Sequence, residues 1–199
     1  TLSQKLVEQH QLVRESGEVR VGKRYLTRYR FAHALFQEYF YKRMSAGERR
    51  LLHGEVGTAL ETLYAGETDR ILAELAQHYA EAGWIEQAVV YLHKVGQAAA
   101  DSYANQEAVR YFSQALVLAP EQDTATRFAL LEAREKALGG LGDRAAQRRD
   151  IEQLVVLAGD LDAAAQARAA LRQAFYALVV DEYDLASEHA QAALELAQQ

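Results

Sequence analysis

A five-residue apolar motif recurs at a fixed interval in the second half of the chain. It reads Ala-Leu-Val-Leu-Ala at 115–119, Leu-Val-Val-Leu-Ala at 154–158 and Ala-Leu-Glu-Leu-Ala at 193–197, so that successive copies begin 39 residues apart. Intervals of this length are typical of stacked helical repeats, in which one repeat is too small to bury its apolar face alone. The motif therefore predicts a helical-hairpin array.

Apolar residues at helical spacing predict six helices in this half, at 85–103, 106–119, 124–138, 144–158, 163–179 and 184–198. Short caps and turns separate them. One separator, 139–143, is rich in glycine but lacks the preceding strand and the lysine of a phosphate-binding loop. We therefore expect Gly139 and Gly140 to end a helix and Asp143 to cap the next one.

The N-terminal part has a different pattern. Residues 2–15 have apolar spacing that predicts a helix ending at Ser16 and Gly17, and alternation over 19–30 predicts a β-hairpin that turns near Gly22 and Lys23. A helix follows at 31–44, which completes the outline of a partial winged-helix module over 1–44. Residues 45–68 are predicted as a linking helix that opens with a Ser45–Glu48 capping box. Thr68 is predicted to cap the first helix of a repeat region spanning 69–199, and Gly83 to end that helix.

Composition limits the class of protein. Half of the residues are hydrophobic, proline occurs once, and the net charge is -6, which disfavours nucleic acid as the main partner. Cysteine is absent, so disulfides and thiolate metal sites are excluded, and the six histidines show no metal-binding spacing. No apolar run is long enough to span a membrane and no signal segment opens the chain. We expect a soluble, cytoplasmic protein that needs no metal and binds no cofactor within this chain.

The stretch LAELAQHYAEAGWIEQAVVYL at 72–92 resembles a tetratricopeptide repeat, and Ala108, Phe112, Ala115 and Pro120 continue the pattern in the next unit. Gln147 departs from it, because the family has alanine there. The resemblance covers about 69–199 and implies an all-α, superhelical stack of antiparallel helix pairs. Such repeats bind peptides, whole proteins or small ligands in their groove.

The run RYRFAHALFQEYFYKRMSAGERRLLHGEVGTALE at 28–61 is similar to the segment that joins the nucleotide-binding module to the repeats in signal-transduction ATPases with numerous domains. In that family a winged-helix histidine reaches the diphosphate of ADP. His33 takes this place here, between Ala32 and Ala34 where the family has Met and Asp. The resemblance implies that His33 contacts ATP or ADP only in a longer protein with a nucleotide-binding domain. Otherwise His33 is a helix-start residue bonded to a local carbonyl.

A cluster of basic residues lies in the predicted hairpin. It comprises Arg20, Lys23, Arg24, Arg28 and Arg30. Such a cluster could follow a nucleic-acid backbone as a wing does, but no helix here carries several base-reading side chains. We therefore expect an intramolecular docking surface for the nucleotide-binding domain, with a DNA-binding winged helix as an alternative.

The repeat register predicts which residues line the groove. In the first two units they are His93, Gln97 and Asp101, then Glu132 and Lys136, and in the last unit Arg168, Leu171, Phe175 and Leu178. Only the last unit offers an apolar stripe. It predicts a hydrophobic ligand patch, contact with a further repeat, or self-association through the C-terminal repeat, unless helix 184–198 covers it.

No constellation of nucleophile and base occurs, so catalysis is not expected. The sequence predicts a non-catalytic sensor or protein-interaction segment of a larger signalling ATPase or transcription regulator, coupled to a nucleotide switch outside this chain. Both ends resemble cuts through a longer protein. The alternative is a plain repeat scaffold for protein–protein interaction without any switch.

Overall fold

The computed structural model describes residues 11–22 and 24–198, and within them the chain is mostly helical, with one β-hairpin. Two compact units divide between Trp84 and Ile85. The first contains strands β1 (Val13–Val21) and β2 (Arg24–Phe31) and helices α1 (Ala34–Arg43), α2 (Ala46–Leu63) and α3 (Leu72–Ala82). The second contains α4 (Ile85–Asp101), α5 (Asn105–Leu118), α6 (Thr124–Leu141), α7 (Arg144–Ala158), α8 (Ala163–Val179) and α9 (Tyr183–Leu196).

The hairpin is longer than its alternating pattern predicts. β1 and β2 pair antiparallel from Val13 opposite Phe31 to Val21 opposite Arg24, with an irregularity between Glu15 and Glu18. The prediction of a helix over 2–15 is wrong for residues 13–15, which are strand, and residues 2–10 lie outside the described part. The irregularity explains the error, because it interrupts the alternation that identifies a strand.

Two of the three capping signals predicted in the first unit are confirmed. The Ser45–Glu48 capping box is confirmed: the Ser45 hydroxyl accepts from the Glu48 amide at 3.2 Å, and the Glu48 carboxylate accepts from the Ser45 amide at 2.7 Å. Gly83 ends α3 with a φ of 76°, as predicted. Thr68 makes no side-chain cap; it begins a short 3-10 helix, Thr68–Ile71, that precedes α3.

The core of the first unit forms where α2 meets α3. Tyr79 is buried and stacks on Trp84 with ring centroids 5.6 Å apart, and its hydroxyl donates to Glu61 at 2.6 Å. Burial, followed by this carboxylate, raises the pKa of Tyr79 to about 12. A Cβ at Gly57 would lie 2.9 Å from the Tyr79 ring, so the absence of a side chain there allows the close approach.

The second unit consists of three helix pairs in one register. Helices α4, α6 and α8 begin at Ile85, Thr124 and Ala163, and their partners α5, α7 and α9 begin at Asn105, Arg144 and Tyr183. Both series advance by 39 residues, the interval of the apolar motif. Each helix packs against the next along the chain. The helices of this unit therefore recur at the interval of the motif, and each contacts its neighbour in sequence.

One predicted boundary in this unit is wrong. Gly139 and Gly140 do not end a helix, because α6 continues to Leu141 and only Gly142, with a φ of 76°, adopts the left-handed cap. The two glycines instead allow close neighbours: a Cβ at Gly139 would meet the Gln147 amide at 2.9 Å. Asp143 caps α7 as expected, accepting from the Ala146 amide at 3.0 Å.

Equivalent positions form the core of the first two pairs. Ala108, Phe112, Ala115 and Ala119 are buried on α5 and at its C-terminal cap, and 39 residues later Gln147, Ile151, Leu154 and Ala158 are buried on α7. The same face of the second helix is therefore buried in both pairs. Within the described residues, no helix combines the length and the apolar character needed to cross a membrane.

Candidate protein-interaction surface

A buried ionic network ties α6 to the helices that follow it. Glu135 is fully buried, and its carboxylate accepts from Arg172 of α8 at 2.5 Å and from the Gln147 amide of α7 at 2.6 Å. Arg134 donates twice to the buried Asp150 of α7, at 2.8 and 2.6 Å. Because every one of these charges has a partner, the network fixes the helices in position and offers no free reactive group.

A second contact sets the position of α8 on α6. The Arg168 guanidinium lies 3.4 Å from the Glu132 carboxylate and 4.8 Å from the centre of the Phe128 ring. Lys136, one turn after Glu132, donates to the same carboxylate at 3.2 Å. Three predicted groove residues, Glu132, Lys136 and Arg168, are thus brought together at the junction between the second and third helix pairs.

The predicted apolar stripe of α8 is exposed to solvent. Leu171, Phe175 and Leu178 retain 44%, 48% and 50% of their surface, although α9 packs against α8. The Arg172 guanidinium lies 5.4 Å from the Phe175 ring centre and covers it only in part. One repeat earlier the same three positions are Glu132, Lys136 and Gly139. The stripe is therefore a property of the last pair alone.

An apolar groove runs beside this stripe, between α8 and α9, and has a volume of about 310 Å³. Leu171 belongs to both the stripe and the groove. The groove is lined by Ala167, Arg168, Leu171, Ala190, Ala193, Leu194 and Ala197. Because apolar side chains and alanines dominate this lining, the groove suits another apolar surface better than a charged ligand.

The groove candidates of the first pair are placed differently. His93 is half-buried, with its ring edge-on to Phe112 at 5.8 Å, and burial lowers the pKa of His93. Gln97 and Asp101 are exposed and bond to each other at 2.8 Å. His93 is thus partly committed to the core, while Gln97 and Asp101 remain at the surface.

His33 occupies the N-cap position of α1 in the first unit. It is exposed, makes no side-chain cap hydrogen bond, and lies edge-on to Phe36 with ring centroids 5.9 Å apart. A cap bond would be accepted by the ring from a backbone amide, so its absence does not bear on the alternative that the ring donates to a local carbonyl, which also stays a prediction. The proposed role toward a nucleotide stays a prediction.

The first unit also contains a larger groove, of about 860 Å³, that includes Trp84, Leu51 and Val21. It carries two carboxylates, of which Glu67 is already paired with Arg70 at 2.7 Å. None of the predicted binding residues lines it. The size of this groove alone does not assign a role to it. The surface of the last helix pair is the stronger candidate, because residues predicted to bind are exposed there.

Sequence reasoning missed the ionic network. Glu135 and Asp150 look like solvent-facing helix residues, because their partners lie on other helices. One signal could have found them: the pairs Glu132–Arg168 and Glu135–Arg172 join residues 36 and 37 positions apart, close to one repeat.

Within the described residues, no group of three or more potential ligand side chains is placed to hold a metal ion.

Comparison of the chain with protein-family models finds no match, and comparison with curated proteins finds none either. Support for a function therefore comes from the register of the helices and from the exposed surface of the last pair.

Proposed function

We propose that the chain is a non-catalytic, tetratricopeptide-like repeat segment that binds a protein or peptide through its last helix pair. The exposed stripe of α8 carries this proposal. Three large, exposed apolar side chains on one face of a helix lower the solubility of a protein. Such patches on soluble proteins typically mark interaction sites. The half-exposed Leu171, Phe175 and Leu178 fit that description.

The surrounding structure suits a binding role. Arg168 and Arg172 anchor α8 to α6 through charged contacts, so the stripe is presented by a helix with a fixed position. Binding surfaces on rigid elements lose less conformational entropy when a partner docks. The ionic network therefore supports recognition by positioning the stripe rather than by touching a partner.

We further propose a cytoplasmic setting and a place in a larger signalling ATPase or transcription regulator. Binding at the repeats would shift the equilibrium of a nucleotide switch outside this chain, with His33 near ADP. The resemblance of residues 28–61 supports this, and so does the exposure of His33 at the start of α1. A phosphate-binding loop in the longer protein separates this role from that of a plain scaffold.

Quantitative affinity capture from cell extract tests the binding role. Phe175→Asp places a charge in the stripe. It should lower the captured amount of each specific partner by at least about tenfold, because one buried aromatic side chain contributes ~2 kcal/mol or more. Leu185→Asp is the matched control, since Leu185 is equally an exposed apolar residue but lies outside the stripe and groove. Capture that is the same for parent, Phe175→Asp and Leu185→Asp would contradict the proposed function.

A further inference from the structure

The groove between α8 and α9 is equivalent to a surface of the preceding helix pair that is covered by another helix. Its lining residues Ala167, Leu171 and Ala193 lie 39 residues after Phe128, Glu132 and Leu154. Phe128 and Glu132 are the residues that Arg168 of α8 contacts, and α8 also packs against α7. The groove is therefore the equivalent of the surface on which α8 itself is docked.

Burial shows that this equivalent surface is uncovered in the last pair. Ile151 and Ala158 of α7 are 5% and 2% exposed, whereas their counterparts Ala190 and Ala197 of α9 are exposed. Leu154 and its counterpart Ala193 are both buried, so the packing of each pair is alike on its inner side. The last pair thus presents the docking face of a repeat with its apolar positions open to solvent.

The side chains of the groove indicate what kind of helix it accepts. α6 offers Phe128, Glu132 and Glu135 to the docked helix, and α8 answers with Arg168 and Arg172. At the three equivalent positions α8 offers Ala167, Leu171 and Ala174, with no carboxylate. The Arg172 side chain is only 16% exposed, so arginine at its position would be largely buried there without a carboxylate, which is unfavourable. Apolar side chains at the two contact positions would instead be buried against Leu171.

We propose that the groove between α8 and α9 binds an amphipathic α-helix of a partner protein that carries large apolar residues, four apart, where α8 carries Arg168 and Arg172. This inference rests on the proposed binding function and names its partner class. A second copy of α8 is a poor match, because both of its contact positions are arginine. Alanines at 190, 193 and 197 allow the partner helix to approach closely.

The probe is a fluorescein-labelled, stapled peptide of residues 163–180 in which Arg168 and Arg172 are replaced by leucine. Its matched control retains both arginines. Fluorescence anisotropy with the full chain should give saturable binding of the leucine peptide, with a dissociation constant about tenfold or more below that of the arginine peptide. Equal affinities, or no saturable binding of either peptide, would overturn the inference.

Variants of the chain locate the binding. Leu171→Glu should weaken the leucine peptide by about tenfold or more, because Leu171 lines the groove. Leu185→Glu should leave it unchanged, since Leu185 is an exposed residue of α9 outside the groove. Circular dichroism that matches the parent chain shows that both variants are folded. An unchanged dissociation constant for Leu171→Glu in the folded state would place binding elsewhere and contradict the inference.

Two further outcomes separate the inference from the proposed function. Sedimentation velocity should show a monomer, and a dimer that Leu171→Glu dissolves would mean that a second copy, not a partner helix, occupies the groove. If Phe175→Asp reduces capture but the two peptides bind equally, the inference of a partner helix is contradicted. The proposed binding function is then still supported. Loss of both results would contradict both proposals.

Discussion

At the residue scale, Glu135 shows how this repeat unit uses charge. Its carboxylate is fully buried and is held by Arg172, whose side chain is 16% exposed. Removing one partner of a buried ion pair costs far more than the pair contributes, because the remaining charge stays desolvated. Loss of the Arg172 cation alone is therefore expected to destabilise the contact between α6 and α8.

Arg172→Leu should lower the free energy of unfolding by about 3 to 5 kcal/mol, since it leaves the Glu135 carboxylate buried without its cation. The double variant Glu135→Leu, Arg172→Leu should lose less than this single variant. Arg148→Leu, which removes an exposed pair with Glu152, should change stability by less than about 1 kcal/mol. Urea unfolding measures all three, and a small effect for Arg172→Leu would show that water reaches Glu135.

At the element scale, helices α1, α2 and α3 meet at two histidines. The Nδ1 atoms of His53 and His78 are 3.0 Å apart, and the Tyr41 hydroxyl lies 3.1 Å from His53 Nε2. A hydrogen bond between two Nδ1 atoms requires one of them to be unprotonated. Burial first, and then the neighbouring charge of His53, lower the pKa of His78, while Glu74 and Glu81 oppose the shift.

The lowered pKa gives a pH dependence with a defined sign. Because folding disfavours the protonated form of His78, its contribution is complete above the ordinary histidine pKa of about 6.5 and is lost as the pH falls through the lower folded-state value. Unfolding followed by fluorescence of Trp84, the single tryptophan, should therefore show stability that decreases as the pH falls below about 6.5. His78→Gln should flatten this slope, whereas His189→Gln should leave it unchanged. An identical slope in both variants would contradict the assignment.

The elements also show what the sequence could predict. The 39-residue interval identified the helix pairs, because apolar spacing is a local signal that burial then enforces. The strand at 13–15 was missed because the irregularity before Glu18 breaks the alternation, and the continuation of α6 through Gly139 was missed because glycine usually ends helices. Exposure of Phe175 could not be predicted, since it depends on where α9 packs.

At the scale of the whole molecule, the second unit is a periodic array whose last member differs in chemistry. The first junctions are closed by Arg127, Arg134 and Arg172, which donate to carbonyls, a hydroxyl and carboxylates of neighbouring helices. The last pair has Ala167, Leu171 and Ala174 at the positions of Phe128, Glu132 and Glu135. This change turns a structural interface into a surface suited to a partner.

The unfolding free energy of Phe175→Asp distinguishes a binding surface from core at the stripe. If the stripe is a solvent-exposed binding surface, the substitution should change stability by less than about 1 kcal/mol, as surface substitutions generally do. Phe112→Ala, in the buried core of the first pair, is the contrast and should cost about 3 to 5 kcal/mol. A loss for Phe175→Asp as large as that for Phe112→Ala would mean that the stripe is core, and would contradict the binding role proposed for it.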